Sequence, residues 1–497
     1  MKTAVVIGSG MSGLCAGLLL AMHDYKVTLV EQHSRPGGLL QRFYRKAWAF
    51  DTGFHYCGGV AHEDILGRIL RHLGVHDRLT FLPLDEDGFD RLRFPGLEFR
   101  VPVGVDRYRA RLKDTFPHEA TGIDAFVDAL EGAVETYGLC QFNAHIDRER
   151  LFEVERMSLR AVLDAHLRDP TAKAVLAGQG FLYGVPPSEA PFGLHAVILH
   201  HFLCGATRIR GGGEALANAL SQRLGELGGT LRLRSKVRQV LVDDLEATGV
   251  VLASGEEIRA DLVISSMHPR TLLDCIPKTA VRKVYRNRVR EQRPGLACMG
   301  IYVGLDGPPQ GLANCNVFRH RSYDLDDAIR GISETEVPLY FATAAAEGRP
   351  SRGAAPSNAV MVNVLLDYER VEAWRGSQSG RRPPEYMALK RRLEGVVLEA
   401  LFEDFPALRS QVMRVESSTG LTNEFYTGVP RGAMYGHYHC VGQMGRYRPS
   451  QIIRIRHFVQ VGQAVFTPGI LGAALSAYYG TGWVLGLETL LQELKDC

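Results

Sequence analysis

Paired cysteines, surplus charge of either sign and unbroken apolar runs are all scarce in this chain. Its nine cysteines among 497 residues are scattered, odd in number and never spaced C-x-x-C, which excludes a disulfide scaffold and a cysteine zinc site. They read as buried or free thiols of a reducing cytosol. The formal net charge is only +3, with both signs mixed along the sequence, so there is no electrostatic footprint for nucleic acid. No apolar stretch approaches the roughly 20 residues needed to span a bilayer; the nearest, Gly469 to Leu487, is broken by Gly472, Gly480, Gly482 and Gly486. A secretory leader is not expected, because a β-branched strand already begins at residue 3. Metal is not expected either. His200-His201 point to different sides of one element, and His437 and His439 share a face only if extended. Neither pair has a third ligand at zinc spacing.

What is present is ample core and one strong motif. An apolar share of 45% over this length supports two or more domains. Residues Thr3-Ala-Val-Val-Ile-Gly8-Ser-Gly10-Met-Ser-Gly13 run from a strand into a glycine turn that opens the apolar helix of Leu14, Ala16, Leu18, Leu19 and Leu20. A second strand, Lys26-Val-Thr-Leu-Val-Glu31, follows and ends in an acid. That context makes G-x-G-x-x-G a pyrophosphate cradle. Gly8 allows the tight turn, Gly10 lets backbone approach the diphosphate, Gly13 lets helix and strand pack, and Glu31 accepts from ribose hydroxyls. The expected ligand is a dinucleotide.

Further along, Gly37-Gly38, with Arg42 just beyond, and Phe50-Asp-Thr-Gly53-Phe-His55-Tyr56-Cys-Gly58-Gly59 mark places where backbone bends sharply or touches a ligand. Residues 61 to 207 read as a helical insertion, with helices at Met157 to Leu167 and Phe192 to Phe202. A helix from Glu214 to Leu227 leads into strands Thr230 to Leu233 and Val237 to Val242, a hairpin, and the apolar strand Asp261 to Ser265. Residues 291 to 454 alternate strands with one strong helix, Tyr386 to Phe402, and carry loops at 347 to 358 and 375 to 384. The implied architecture is α/β. A Rossmann-type domain built from residues 1–60, 208–290 and 455–497 is interrupted by a mixed α+β substrate domain of residues 61–207 and 291–454, with a ligand cleft at the junction.

Glu31 alone does not separate NAD from FAD; the flanking segments do. Gly37-Gly38 with Arg42 resembles the continuation of the motif in the FAD-dependent amine oxidase and phytoene desaturase superfamily. Gly462-Gln-Ala-Val-Phe-Thr-Pro-Gly469-Ile-Leu-Gly472-Ala473 resembles its C-terminal flavin signature, and Val237 matches the valine whose backbone meets the adenine. Phe50 to Tyr56, Gly462-Gln463 and Val429 to His437 most resemble the retinol saturase and carotenoid isomerase branch. The resemblance implies bound FAD, held by Gly8, Gly10, Met11, Ser12, Gly13, Glu31, Gln32, Gly37, Gly38, Leu39, Arg42, Gly53, Phe54, His55, Val237, Gly469, Gly472 and Ala473. It further implies redox chemistry on carbon–carbon double bonds of an apolar, isoprenoid or polyketide polyene. Reduction is the favoured direction, by saturation or by reductive cyclisation of the kind that forms polycyclic tetramate macrolactams. A desaturase, a cis-trans isomerase, an amine oxidase and a flavin-binding scaffold are the alternatives. No second strand-glycine-helix unit appears for NADPH, which would bind transiently.

Hydride addition to a double bond also needs a proton, for which Tyr56, His55 and Tyr435 are the candidate donors. The plainer reading makes Asp51 to Gly53 a turn, with His55 and Tyr56 stacking beside the ring. Leu194, Val197, Ile198, Leu199 and Phe202 read either as the wall of a greasy tunnel for this hydrophobic small molecule or as plain core. Tyr478 and Tyr479 read as packing. The arginine cluster at 286 to 293 reads as a solvated face, or else as a peripheral membrane-docking patch on a cytoplasmic protein.

Overall fold

The computed structural model describes residues 1–137, 147–347 and 358–497; Cys140 and most of the loop expected at 347 to 358 lie outside them. A five-stranded sheet runs Phe458–Gln460, Leu262–Ser265, Lys2–Ile7, Tyr25–Val30, Thr230–Arg232, every pair parallel. Both faces are covered, as parallel sheets require. Strand alternation sorts its side chains: Ala4 and Val6 pack toward the helices Met11–Met22, Gly212–Glu226 and Gly469–Leu485, whereas Val5 and Ile7 pack toward the antiparallel strands Val237–Asp243 and Glu246–Leu252. Each such buried aliphatic contributes about 1.5–3 kcal/mol, which is why the three distant pieces close into one layer.

The second sheet is mixed and seven-stranded, ordered Val412–Ser418, Ala297–Leu305, Ala359–Leu366, Leu339–Ala344, Asn316–His320, Asp90–Phe94, Leu97–Val101. The helix Pro384–Asp404 packs on one face, and helices Ala120–Thr136, Leu159–His166 and Phe192–Leu203 pack on the other. Here the reading of 61 to 207 as a separate helical insertion is corrected, since the segment also contributes strands. The hairpin Asp90–Val101 belongs to the sheet, with Asp90–Phe94 running parallel to Asn316–His320. Its strands are five residues each, and arginines alternate with buried Leu92, Phe94, Phe99 and Val101, so an edge hairpin is easily mistaken for a charged loop. Likewise the helix Ile65–His72 buries Leu66, Ile69 and Leu70 in the parallel-sheet core beside Leu490 and Leu494.

The eight cysteines among the described residues are all free. No described helix is long and apolar enough to cross a membrane.

Candidate functional site

Where the parallel strands end, at Ile7, Val30, Ser265 and Gln460, the chain opens around one cavity of about 820 Å³. That is the edge where doubly wound sheets bind ligands, and the volume suits a cofactor with substrate. The glycines of the first turn are distinguished by what surrounds them. Gly8 has φ +91°, and a Cβ there would lie 2.5 Å from Ser266 Oγ; a Cβ on Gly13 would lie 1.9 Å from the Gly8 carbonyl oxygen. A Cβ on Gly10 would meet no protein atom within 4 Å, because Gly10 faces the cavity. Gly10 is also the N-cap of Met11–Met22, and no side chain caps that helix. The helix Gly469–Leu485 likewise starts uncapped on the same cavity, with Gly469, Gly472 and Ala473 in its wall. Two helix N-termini thus turn free amides and positive dipole ends toward one ligand, and the residues present fit a flavin dinucleotide.

Glu31 is buried at the end of its strand. Its Oε2 accepts from Ser9 N at 2.9 Å and Ser9 Oγ at 2.6 Å, and its Oε1 accepts from His33 N at 2.9 Å. The carboxylate is therefore held in place by the turn that it is to serve. Gln32, Gly37, Gly38, Leu39, Gly53, Phe54 and Val237 join Gly8, Gly10, Met11, Ser12 and Glu31 in the cavity wall. Two expected cofactor residues do not reach it. Gly13 acts behind the wall, in the helix–strand contact. Arg42 is a correction: its Nε pairs with Asp51 Oδ1 at 2.8 Å and its Nη2 donates to the Ala346 carbonyl at 2.7 Å, with both charged side chains buried. Its reach is used up by a structural pair, because the hairpin register sets Arg42 directly opposite Asp51.

At the other end the wall is aromatic and aliphatic. Leu194, Val197, Ile198 and Phe202 line it, whereas Leu199 is core. The three donor candidates converge here with unequal chemistry. His55 Nε2 lies 3.2 Å from Asn363 Nδ2, and the Asn363 oxygen accepts from Cys298 Sγ at 3.6 Å. The amide nitrogen therefore donates to Nε2, leaving the ring proton on Nδ1, which has no protein partner. Burial, with Arg208 nearby, pushes His55 down to about 4. At neutral pH the imidazole offers an N–H hydrogen bond and no readily lost proton. Nitrogen-resolved NMR of histidine-labelled protein is expected to show His55 as the neutral Nδ1–H tautomer from neutral pH down to about 5; a titration near 6.5 contradicts this.

Tyr435 Oη donates to the Phe181 carbonyl at 3.2 Å, and burial pushes its phenol up. Tyr56 stacks on Phe202 at 4.5 Å and on Phe341 at 6.0 Å. Its hydroxyl donates to Asp90 Oδ2 at 2.9 Å, and burial together with the Asp90 charge raises its pKa well above the usual tyrosine value. Of the three, Tyr56 is the one whose side chain hydrogen-bonds a second titratable side chain among the described residues.

The other polar clusters have the following surroundings. His201 Nε2 accepts from Gly58 N at 3.1 Å. His437 and His439 rings lie 4.1 Å apart, and no metal-binding group occurs among the described residues. Tyr478 Oη bonds His72 Nδ1 at 2.7 Å and Tyr479 stacks on Phe466. Unanticipated at the site are Ser266, Phe341, Asn363 and Asp90. The signal for one of them was a lone polar residue inside an apolar strand, Asn363 within Ala359–Leu366; Asp90 opens a strand that also carries Arg91 and Arg93 and did not stand out.

With the geometry in place, a family model described as "Flavin containing amine oxidoreductase" matches residues 11–328. The chain belongs to that family. It is an FAD-dependent oxidoreductase. The all-trans-retinol 13,14-reductase of Macaca fascicularis is 28% identical over 99% of this chain and 87% of its own. The neurosporene-forming phytoene desaturase of Cereibacter sphaeroides is 25% identical over 95% of this chain and 93% of its own. In fold, the crystal structure of an oxidoreductase from Methanosarcina mazei superposes with a TM-score of 0.68 at 16% identity, covering 96% of this chain and 99% of the other.

Proposed function

We propose that this flavoenzyme reduces carbon–carbon double bonds of an apolar polyene, isoprenoid or polyketide, by saturation or reductive cyclisation, with NADPH as a transient hydride donor. The supporting observation is the continuity of a single cavity. The cofactor bed opens into an arm lined by Phe181, Leu194, Val197, Ile198, Phe202 and Phe341, which suits a long substrate with little to hydrogen-bond. When bound, FAD supplies hydride transfer at flavin N5. The chain's own residues do the rest. The stacked rings exclude water, His55 Nδ1–H orients an acceptor, and Tyr56 Oη carries the proton that balances the hydride. The lining carboxylates among the described residues are Glu31, at the end of a parallel strand, and Asp274, just past the helix Pro269–Leu272, so among the described residues the aromatic arm has no anion to hold a substrate ammonium. The retinol reductase relative has by name the direction proposed here.

Anaerobic mixing with NADPH is expected to bleach the flavin, and all-trans-retinol as probe to restore the colour while forming a dihydro product by mass spectrometry. Failure of NADPH to bleach, with bleaching by the polyene itself, would establish a desaturase, as the phytoene desaturase relative suggests. Hydrogen peroxide released on addition of amines would establish an amine oxidase.

A further inference from the structure

A row of buried polar side chains crosses three adjacent strands of the seven-stranded sheet and ends at Tyr56. Asp90 and Asn316 are register partners in their parallel pair, and Asn316 and Thr343 are register partners in the next, antiparallel one. All three are completely buried. Asn316 Nδ2 donates to Asp90 Oδ1 at 2.8 Å, and Thr343 Oγ1 donates to Asn316 Oδ1 at 2.7 Å. Arg208, itself buried, donates to Thr343 Oγ1 at 3.2 Å and Asn316 Oδ1 at 3.4 Å. On the cavity side, Asp90 Oδ2 accepts from Gln179 Nε2 at 2.6 Å and from Tyr56 Oη at 2.9 Å. A carboxyl set in the middle of a packed sheet costs several kcal/mol unless fully partnered, and here every partner but one is an amide that cannot take its proton. The exception is the tyrosine in the cavity wall.

The geometry points to Asp90 as the proton store of this site, with Tyr56 Oη as its outlet into the cavity. The inference rests on the reductive reading above. As the double bond gains a hydride at one carbon, the O–H bond of Tyr56 breaks and its proton forms the C–H bond at the other. The Asp90 carboxyl O–H then breaks and its proton restores the phenol, leaving a carboxylate held by Gln179, Asn316 and Tyr56. That carboxylate is re-protonated back along Tyr56 when water enters the open cavity. Asp90 is thus a positioning residue that acts through Tyr56.

The electrostatics suit the role. Burial raises Asp90 to about 6, while the Asn316, Gln179 and Tyr56 hydrogen bonds and the Arg208 charge pull it back. Cys315 is the other titratable group facing it. The proton is therefore present below about pH 6 and lost above it, and reduction of the double bond by the reduced flavin slows as pH rises through that value.

The test is an infrared pH titration of the FAD-loaded protein, read at the protonated carboxyl stretch. A band with its midpoint near about 6 is expected, absent in Asp90→Asn. Tyr56→Phe keeps the carboxyl but removes a donor to its ionised form, so the midpoint is expected to move up even if Asp90→Asn folds poorly. In single-turnover reduction of all-trans-retinol, Asp90→Asn is expected to lose about tenfold or more, together with the pH dependence. A band unchanged in Asp90→Asn, or a midpoint unmoved by Tyr56→Phe, overturns the assignment. Failure of retinol to react at all counts against the reductive reading alone, since the infrared arm needs no substrate.

Discussion

Gly13→Ala is expected to yield a colourless, destabilised protein, whereas Gly10→Ala, three residues earlier in the same turn, is expected to fold normally and lose only the flavin. At Gly13 the new methyl would stand 1.9 Å from the Gly8 carbonyl oxygen, a backbone atom that cannot swing aside, in a tight helix–strand contact. Overpacking of this kind costs about 1–3 kcal/mol and prises the helix Met11–Met22 away from the strand that aims it. At Gly10 the methyl meets no protein atom within 4 Å, and the backbone φ of −67° is one that alanine adopts freely. The same substitution therefore strikes the ligand alone, and a clash of about 1–3 kcal/mol there weakens FAD binding roughly 5- to 150-fold. Thermal melts of the flavin-free proteins, followed by flavin titration, separate the two. Equal melting temperatures for both variants would show that the turn is not built as described.

Arg42→Met is expected to be among the most destabilising single changes in the molecule, by about 3–5 kcal/mol, with a double substitution Arg42→Met/Asp51→Leu recovering most of that loss. The pair is buried on both sides. Burial pushes the Asp51 carboxyl up, and the Arg42 guanidinium is the first influence pulling it back. Removing the cation leaves an uncompensated anion in the core. Asp51 also accepts from Gly213 N, and a Cβ at Gly212 would lie 2.0 Å from Asp51 Oδ1, so the pair clamps the glycine turn that starts Gly212–Glu226 onto the hairpin under the cofactor bed. The folded pKa of Asp51 lies above its unfolded value, so the penalty in Arg42→Met is full at neutral pH and shrinks as pH falls through that raised value. Denaturant unfolding at two pH values measures both effects. A loss no larger at neutral than at acid pH would show that charge burial is not its cause.

Arg42 also illustrates the reach and the limit of the sequence. Its position beyond Gly37-Gly38 read as a cofactor contact, and nothing local distinguishes a guanidinium that touches a ligand from one paired with a residue nine positions on. Motifs whose parts are contiguous were legible: Gly8 and Gly10 of the glycine turn, Glu31 at the end of its strand, and Gly469, Gly472 and Ala473 of the last segment all line the cavity, as does Val237. So were the central strands, because β-branched runs bounded by turns leave few alternatives. The hairpin Asp90–Val101 was not, since its strands are short and half charged, and only pairing with Asn316–His320 makes them strands.

From residue order alone came the dinucleotide cradle and the family resemblance, because each depends on neighbours within a few positions, where covalent geometry dictates what can form. The choice among His55, Tyr56 and Tyr435 awaited the fold. Their chemistry is set by Asn363, Asp90 and the Phe181 carbonyl, partners dozens to hundreds of residues away, and it is burial together with such contacts that governs where a proton sits.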